Sequence, residues 1–127
     1  MVLVVEDDPS VRVVLRSVLE SDGHKVVEAP HGKAAMRAIQ ENGLPDVITT
    51  DLTMSVLGGE QLIRRLRSDA ATVGVPIVVI SRNQDAAHAL HAWGLVEAVL
   101  IKPFDAAKLA HCIKNVAGNS ALDQATG

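Results

Sequence analysis

The stretch Val2-Leu3-Val4-Val5-Glu6-Asp7-Asp8-Pro9 decides the fold. Its four aliphatic residues show no polar alternation, as expected of a strand covered on both faces. Three acidic residues follow at once, and Asp8 with Pro9 reads as the N-cap and first residue of a helix. Beyond them Val11, Val14, Leu15, Val18 and Leu19 recur at i, i+3, i+4, i+7 and i+8, which predicts an amphipathic helix with one buried face.

The same unit returns along the chain. Strands are predicted near Val2, Lys25, Asp46, Ile77 and Ala98, the clearest being Asp46-Val47-Ile48-Thr49-Thr50, Ile77-Val78-Val79-Ile80 and Val99-Leu100-Ile101. Between them, Ala35, Ala38, Ile39 and Asn42 mark a second helix that Gly43 ends in a left-handed cap. Leu62, Ile63 and Leu66 form the stripe of a third, with Arg64, Arg65 and Arg67 read as its solvated face. A fourth runs from Asp85 to Trp93, and a fifth starts near Asp105 and buries Leu109, Cys112, Ile113 and Val116. Apolar strands each followed by a helix imply a parallel sheet covered on both sides. Right-handed crossovers then predict a doubly wound α/β/α fold with five strands in the order 2-1-3-4-5. In that order the chain changes direction between the first and third strands, which makes neighbours of Glu6-Asp7-Asp8 and Asp51.

Composition narrows the function classes. With 127 residues, 48% of them hydrophobic, the chain suits a single domain. We read residues 1–118 as that domain and the small, polar segment 119–127 as a flexible tail or linker. Aromatic residues make up only 2% and the net charge is -3 without a dense basic run, which disfavours direct nucleic-acid binding. The lone Cys112 argues against a disulfide-stapled secreted protein, and Met1 leads straight into the first strand with no signal peptide expected. No apolar run approaches the roughly 20 residues of a bilayer span. A cytoplasmic protein without membrane contact is expected.

The strand ends carry the chemistry. Side by side, they bring the carboxylates of Glu6, Asp7 and Asp51, the hydroxyl of Ser81 and the ammonium of Lys102 into one crevice. Clustered carboxylates repel one another, and a hard divalent cation such as Mg2+ relieves that repulsion, with Asp7 and Asp51 as the expected direct ligands. With its charge compensated, Asp51 is a nucleophile for a phosphoryl donor, and Ser81 a donor to the phosphoryl oxygens.

Taken together, Val4-Val5-Glu6-Asp7-Asp8, Asp51-Leu52-Thr53-Met54, Ile80-Ser81 and Lys102-Pro103-Phe104 resemble the receiver domain of bacterial two-component response regulators, in order and over nearly the whole chain. The resemblance implies a flavodoxin-like (βα)5 fold and a phosphoryl group taken from a histidine kinase or a histidine phosphotransfer protein. It implies Asp51 as phosphoacceptor, Asp7 as a direct Mg2+ ligand, Glu6 as a ligand through water and the Thr53 carbonyl as a further ligand. Ser81 is then the switch hydroxyl and Lys102 the partner of the phosphoryl group, with a cis peptide between Lys102 and Pro103. The implied partners include a downstream output domain or protein, in the same longer chain or another, and a phosphorylation-dependent homodimer.

The sequence departs from that pattern in the route to output. Ser55 stands where proline is usual and Gly58 where an acidic residue often precedes Gly59, so the loop from Leu52 to Gly59 is expected to be more flexible than is typical. Arg82, with Asn83 after it, occupies the position following the switch hydroxyl, and is expected to alter the dephosphorylation rate. Val99 replaces the aromatic switch residue, and the interval from Gly94 to Lys102 is one residue longer than usual. The implied output face displays His88, His91, Trp93 and Lys108. His88 and His91 have metal-binding spacing but no evident third ligand, and His24, His31 and His111 read as surface residues. Two other readings stand beside the switch: a pseudo-receiver that serves as an interaction module without phosphorylation, and a phosphatase-like enzyme with Asp51 as turnover nucleophile. Thr53 disfavours the latter, because such enzymes often carry a second Asp there as general acid.

Overall fold

The structure of the protein is a computed structural model that describes residues 1–54 and 56–126, with the backbone alone over 119–126. Strands and helices alternate: β1 (Val2–Val5), α1 (Pro9–Ser21), β2 (Val26–Ala29), α2 (Gly32–Asn42), β3 (Val47–Thr50), α3 (Gly59–Ser68), β4 (Ile77–Ser81), α4 (Gln84–Ala92), β5 (Ala98–Ile101) and α5 (Ala106–Thr126). The strands form one sheet in the order β2-β1-β3-β4-β5, all neighbours parallel. This is the flavodoxin-like arrangement that the alternation predicts.

Period-two alternation sends each strand's side chains to two cores. Leu3, Val5, Ile48, Ile77 and Val79 pack with Leu62, Ile63, Leu66 and Leu90 under α2, α3 and α4. Val2, Val4, Val47, Val78 and Ile80 pack with Leu15, Leu19, Leu109 and Ile113 under α1 and α5. Both faces of the sheet are thereby covered, which is why its strands carry no polar alternation. Among the described residues, no helix is long and apolar enough to cross a membrane.

Several side chains depart from the sequence reading. Val14 is 49% exposed, because at 100° per residue it lies about 100° round α1 from Leu15 and at the rim of the buried arc. Asn42 is exposed and turns back to donate to the Ala38 carbonyl. His31 is half-buried and caps α2, its Nδ1 accepting the Ala34 N–H at 3.0 Å. Helix α5 runs from Ala106 to Thr126.

The largest correction concerns Arg67, which is not part of a solvated face. Its side chain is 12% exposed and donates to the carbonyls of Leu95 (2.8 Å), Val73 (2.9 Å) and Val75 (2.7 Å) and to the Glu97 carboxylate (2.9 Å). Glu97 in turn accepts from the Ile77 N–H, so one guanidinium ties the end of α3 to the starts of β4 and β5. Arg64 stays outside, paired with Glu60 and 5.8 Å from the ring centre of the exposed Trp93. Arg67→Ala leaves the part-buried carbonyls of Leu95 and Val75 without their donor and frees Glu97 from α3, and is expected to lower the unfolding free energy by about 2 kcal/mol in urea titrations. Arg65→Ala, on the exposed side of the same helix, is expected to change it by less than about 0.5 kcal/mol.

Candidate functional site

Register places the site. Val5 lies beside Thr50 in the β1–β3 pair, so Glu6 and Asp51 leave the sheet at the same height, and the Asp51 N–H donates to the Val5 carbonyl at 3.2 Å. Ser81 lies beside Ile101 in the β4–β5 pair, and the Lys102 N–H donates to the Ser81 carbonyl at 2.9 Å. All these groups therefore emerge at the C-terminal edge of the sheet, at the reversal of strand order, where open α/β sheets form their crevices. The crevice, about 570 Å³, is lined by Glu6, Asp7, Asp8, Val11, Asp51, Thr53, Ser81, Arg82, Asn83 and Lys102. A hollow of similar size at the opposite end of the sheet, beside Leu44 and Val73, gathers no such set of polar groups.

Within the crevice the polar groups are paired. Lys102 Nζ lies 2.8 Å from Asp51 Oδ2 and 3.0 Å from Glu6 Oε2, with the lysine side chain 10% and the Glu6 side chain 2% exposed. The other Asp51 oxygen, Oδ1, accepts the Leu52 N–H at 2.6 Å and, more weakly, the Thr53 N–H at 3.4 Å. Burial pushes the Glu6 carboxyl above its ordinary range, against the opposing hydrogen bond from Lys102. Lys102 is itself disfavoured as a cation by burial, but its hydrogen bonds to Asp51 and Glu6 outweigh that and raise its pKa. The buried carboxylates of Glu6 and Asp51 share the one ammonium of Lys102, and the exposed Asp7 adds a third negative group beside them, so the floor of the crevice is short of positive charge.

That shortage has a geometric counterpart. Carboxylate oxygens of Glu6, Asp7 and Asp51 all lie within 4.8 Å of one another. Hard, anionic oxygen donors at that spacing fit a small divalent cation such as Mg2+, with water or phosphate oxygens completing its shell. Asp8 does not join them: its carboxylate caps α1, accepting from the Ser10 N–H (2.9 Å) and hydroxyl (2.7 Å), and these bonds hold it below the usual range. Ser81 is buried, and its Oγ accepts the Asn83 N–H at 3.0 Å, which leaves the hydroxyl proton to donate elsewhere. Asn83 caps α4 through the Ala86 N–H, joining the strand end to that helix.

The structure brings Glu6, Asp7, Asp51, Thr53, Ser81, Arg82, Asn83 and Lys102 together. The Lys102–Pro103 peptide is cis. Val99 stands apart, half-buried against the core under α4. His88, His91 and Trp93 are exposed, and Cys112 is half-buried with its thiol pushed up by burial. Among its described residues the loop after Asp51 is tied at Gly59, whose N–H donates to Leu52 O, and at Leu57, whose carbonyl accepts the Gly32 N–H, each at 3.1 Å, while the Gly58 N–H donates to Gln61 Oε1 at 3.3 Å. Leu57 holds a left-handed φ of 59°, a strained setting for a γ-branched residue. Ser55, expected to loosen this loop, lies outside the described residues. The sequence reading missed Arg12, whose guanidinium reaches back from α1 to the Glu6 carbonyl at 2.8 Å. Nothing in the periodicity of α1 signals that contact.

Comparison with known proteins agrees with this geometry. The family model for the response regulator receiver domain matches residues 2–114. The chain is 35% identical over 118 residues to the sensor histidine kinase TmoS of Ectopseudomonas mendocina, covering 91% of this chain but only 12% of that protein. It is 30% identical over 118 residues to protein PilH of Pseudomonas aeruginosa, covering 91% of this chain and 95% of PilH. The receiver domain of sensor histidine kinase PA1611 from Pseudomonas aeruginosa PAO1, solved with a magnesium ion coordinated in its active-site cleft, superposes with a TM-score of 0.81 at 28% identity, covering 92% of this chain and 96% of that one. Because the family match runs through all five strands and into α5, the chain belongs to the receiver domain family of two-component response regulators.

Proposed function

We propose that this receiver accepts a phosphoryl group on Asp51 from a histidine kinase or histidine phosphotransfer protein in the cytoplasm, with Mg2+, and that the modified crevice alters a surface read by a downstream output domain or protein. The observation that carries this reading is Asp51 held between Lys102 at 2.8 Å and the Leu52 N–H, with the Glu6 and Asp7 oxygens converging beside it. An Asp51 carboxylate oxygen forms the new O–P bond while the P–N bond to the donor imidazole breaks, and the imidazole nitrogen takes up a proton. Mg2+, when bound, would neutralise charge on the transferring phosphoryl oxygens. Asp7 and Asp51 would hold it directly, Glu6 through water and Thr53 through its carbonyl. Lys102 offsets the charge on Asp51, and Ser81 donates its hydroxyl proton to a phosphoryl oxygen.

Movement of Ser81 toward that oxygen displaces Asn83 and with it the N-terminus of α4, a route to the surface that needs no aromatic residue at Val99. We assign the switch to residues 1–118 and a linking role to 119–127. A phosphorylation-dependent homodimer belongs to the same reading.

Incubation with a small acyl phosphate and Mg2+, followed by intact-mass measurement, tests the proposal. A Mg2+-dependent phosphoryl adduct is expected on the wild type and none on Asp51→Asn. Absence of any adduct favours the pseudo-receiver, the reading supported by Val99 and Arg82, and rapid turnover of phosphate esters favours the phosphatase-like enzyme. Arg82 lines the mouth of the crevice. Arg82→Ala is expected to change the lifetime of phospho-Asp51 by about tenfold, followed as loss of the adduct after the phosphodonor is removed.

A further inference from the structure

Arg12 occupies an unfavourable place for a cation. It is the fourth residue of α1, counted from Pro9, near the helix end that favours negative charge, where the acidic group is the capping Asp8 carboxylate just outside the first turn. Its position therefore calls for interactions that offset that cost. Nη1 donates to the Glu6 carbonyl at 2.8 Å and lies a marginal 3.5 Å from the Asp7 carbonyl. On the far side Nε lies 3.5 Å from the Glu28 carboxylate of β2, with the arginine side chain only 20% exposed. Glu28 is held in its turn by Arg16, which also donates to the Val26 carbonyl at 3.1 Å.

The consequence runs through the backbone. In a planar trans peptide the N–H points opposite to the carbonyl. Holding the Glu6 carbonyl toward Arg12 thus turns the Asp7 N–H away from it, and the Asp7 carbonyl, at the edge of the guanidinium's reach, leaves the Asp8 N–H directed the same way. The Asp8 N–H meets Glu6 Oε1 at 3.3 Å, while Glu6 Oε2 receives Lys102 at 3.0 Å. Both oxygens of the buried Glu6 carboxylate are then engaged, one by the Asp8 N–H, one peptide beyond the Glu6 carbonyl that Arg12 holds, and the other by Lys102. Arg12 makes these bonds to carbonyl oxygens and not to the crevice carboxylates, so it orders the acidic residues without neutralising them.

We infer that Arg12, oriented by Glu28, is a positioning residue that holds the main chain at Glu6 and Asp7 so that their carboxylates converge with Asp51 on a divalent cation. The inference rests on the metal-dependent reading above and adds to it the groups behind the ligands. Partners of this kind commonly set metal affinity by 10- to 100-fold.

Calorimetric titration of the full chain with MgCl2 tests it, alongside amide NMR of the metal-free protein. Arg12→Ala is expected to weaken Mg2+ binding about tenfold or more at unchanged stoichiometry, with Arg12→Lys falling between it and the wild type. Glu28→Gln, which keeps Arg12 but removes its orienting charge, is expected to weaken binding severalfold and serves if Arg12→Ala does not fold. Arg67→Ala, at the far end of the sheet, is expected to lower stability and leave Mg2+ affinity unchanged, which separates positioning from general loosening. Wild-type affinity in folded Arg12→Ala, or in Glu28→Gln where Arg12→Ala does not fold, would overturn the inference. If the wild type itself binds no Mg2+, the metal reading fails on its own, and the Asp8 amide decides the positioning role: a large shift and faster hydrogen exchange in the variant uphold it, and an unmoved resonance rejects it.

Discussion

Gly59→Ala is expected to lower the unfolding free energy by more than about 3 kcal/mol and to abolish labelling of Asp51. Gly59 is the buried first residue of α3, and a Cβ built there would stand 1.9 Å from the Asp51 carbonyl oxygen and 2.7 Å from Leu52 Cα. Both obstacles are backbone, so relief requires α3 to back away from β3 or the Asp51 peptide to turn. The first opens the core under Leu62 and Ile63. The second moves the carboxylate away from Lys102. Gly58→Ala makes the contrast: its added Cβ meets only Leu52 O at 3.4 Å, and its φ of -66° suits alanine. That neighbour is expected to change stability by less than about 1 kcal/mol, because alanine restricts the unfolded chain but serves poorly as the N-cap of α3. Urea denaturation followed by circular dichroism, with intact-mass labelling of the same samples, measures both. Equal effects at the two positions would contradict the close approach of α3 to Asp51.

Lys102→Ala is expected to separate cation affinity from phosphoryl transfer. The ammonium is the nearest positive group to both Asp51 and Glu6, so it competes with a divalent cation for the same negative charge. Its removal should tighten Mg2+ binding severalfold, since Asp51 and Glu6 then lose the ammonium that hydrogen-bonds them both. The rate of adduct formation from an acyl phosphate should nonetheless fall about 100- to 1,000-fold, the usual cost of losing one preorganised group that stabilises developing charge. Calorimetry and time-resolved mass measurement give the two numbers on one preparation. A parallel fall in both would mean that Lys102 acts chiefly by holding the crevice together.

Both expectations depend on how far a local pattern extends. The alternation of aliphatic runs with amphipathic stretches carried the strand order, because a parallel sheet buried on both faces leaves little choice of connection. The crevice residues were legible for the same reason: a side chain directly after a parallel strand has a known edge to occupy. Arg67 and Arg12 were not. Periodicity reports which way a helical residue starts out, whereas a long flexible side chain can curl back to a carbonyl several residues away in sequence or on another element. Arg65 and Arg67 lie in the same last turn of α3, yet one is exposed and the other spans three carbonyls. His31 was hidden by a different ambiguity, since histidine seldom serves as an N-cap and its Nδ1 accepts here because the chain enters α2 in an extended conformation.

The sequence by itself determined the five-fold alternation, the doubly wound order and the identity of the groups that gather at the strand ends, because hydrophobic period and chain connectivity act locally. Only the tertiary structure decided how those groups are balanced: that Lys102 meets Glu6 and Asp51 across 96 and 51 residues of sequence, that Gly59 sits hard against the Asp51 peptide, and that Arg12 and Glu28 stand behind the acidic loop. Such contacts depend on Coulombic reach and close packing between elements distant in the chain, which no local pattern records.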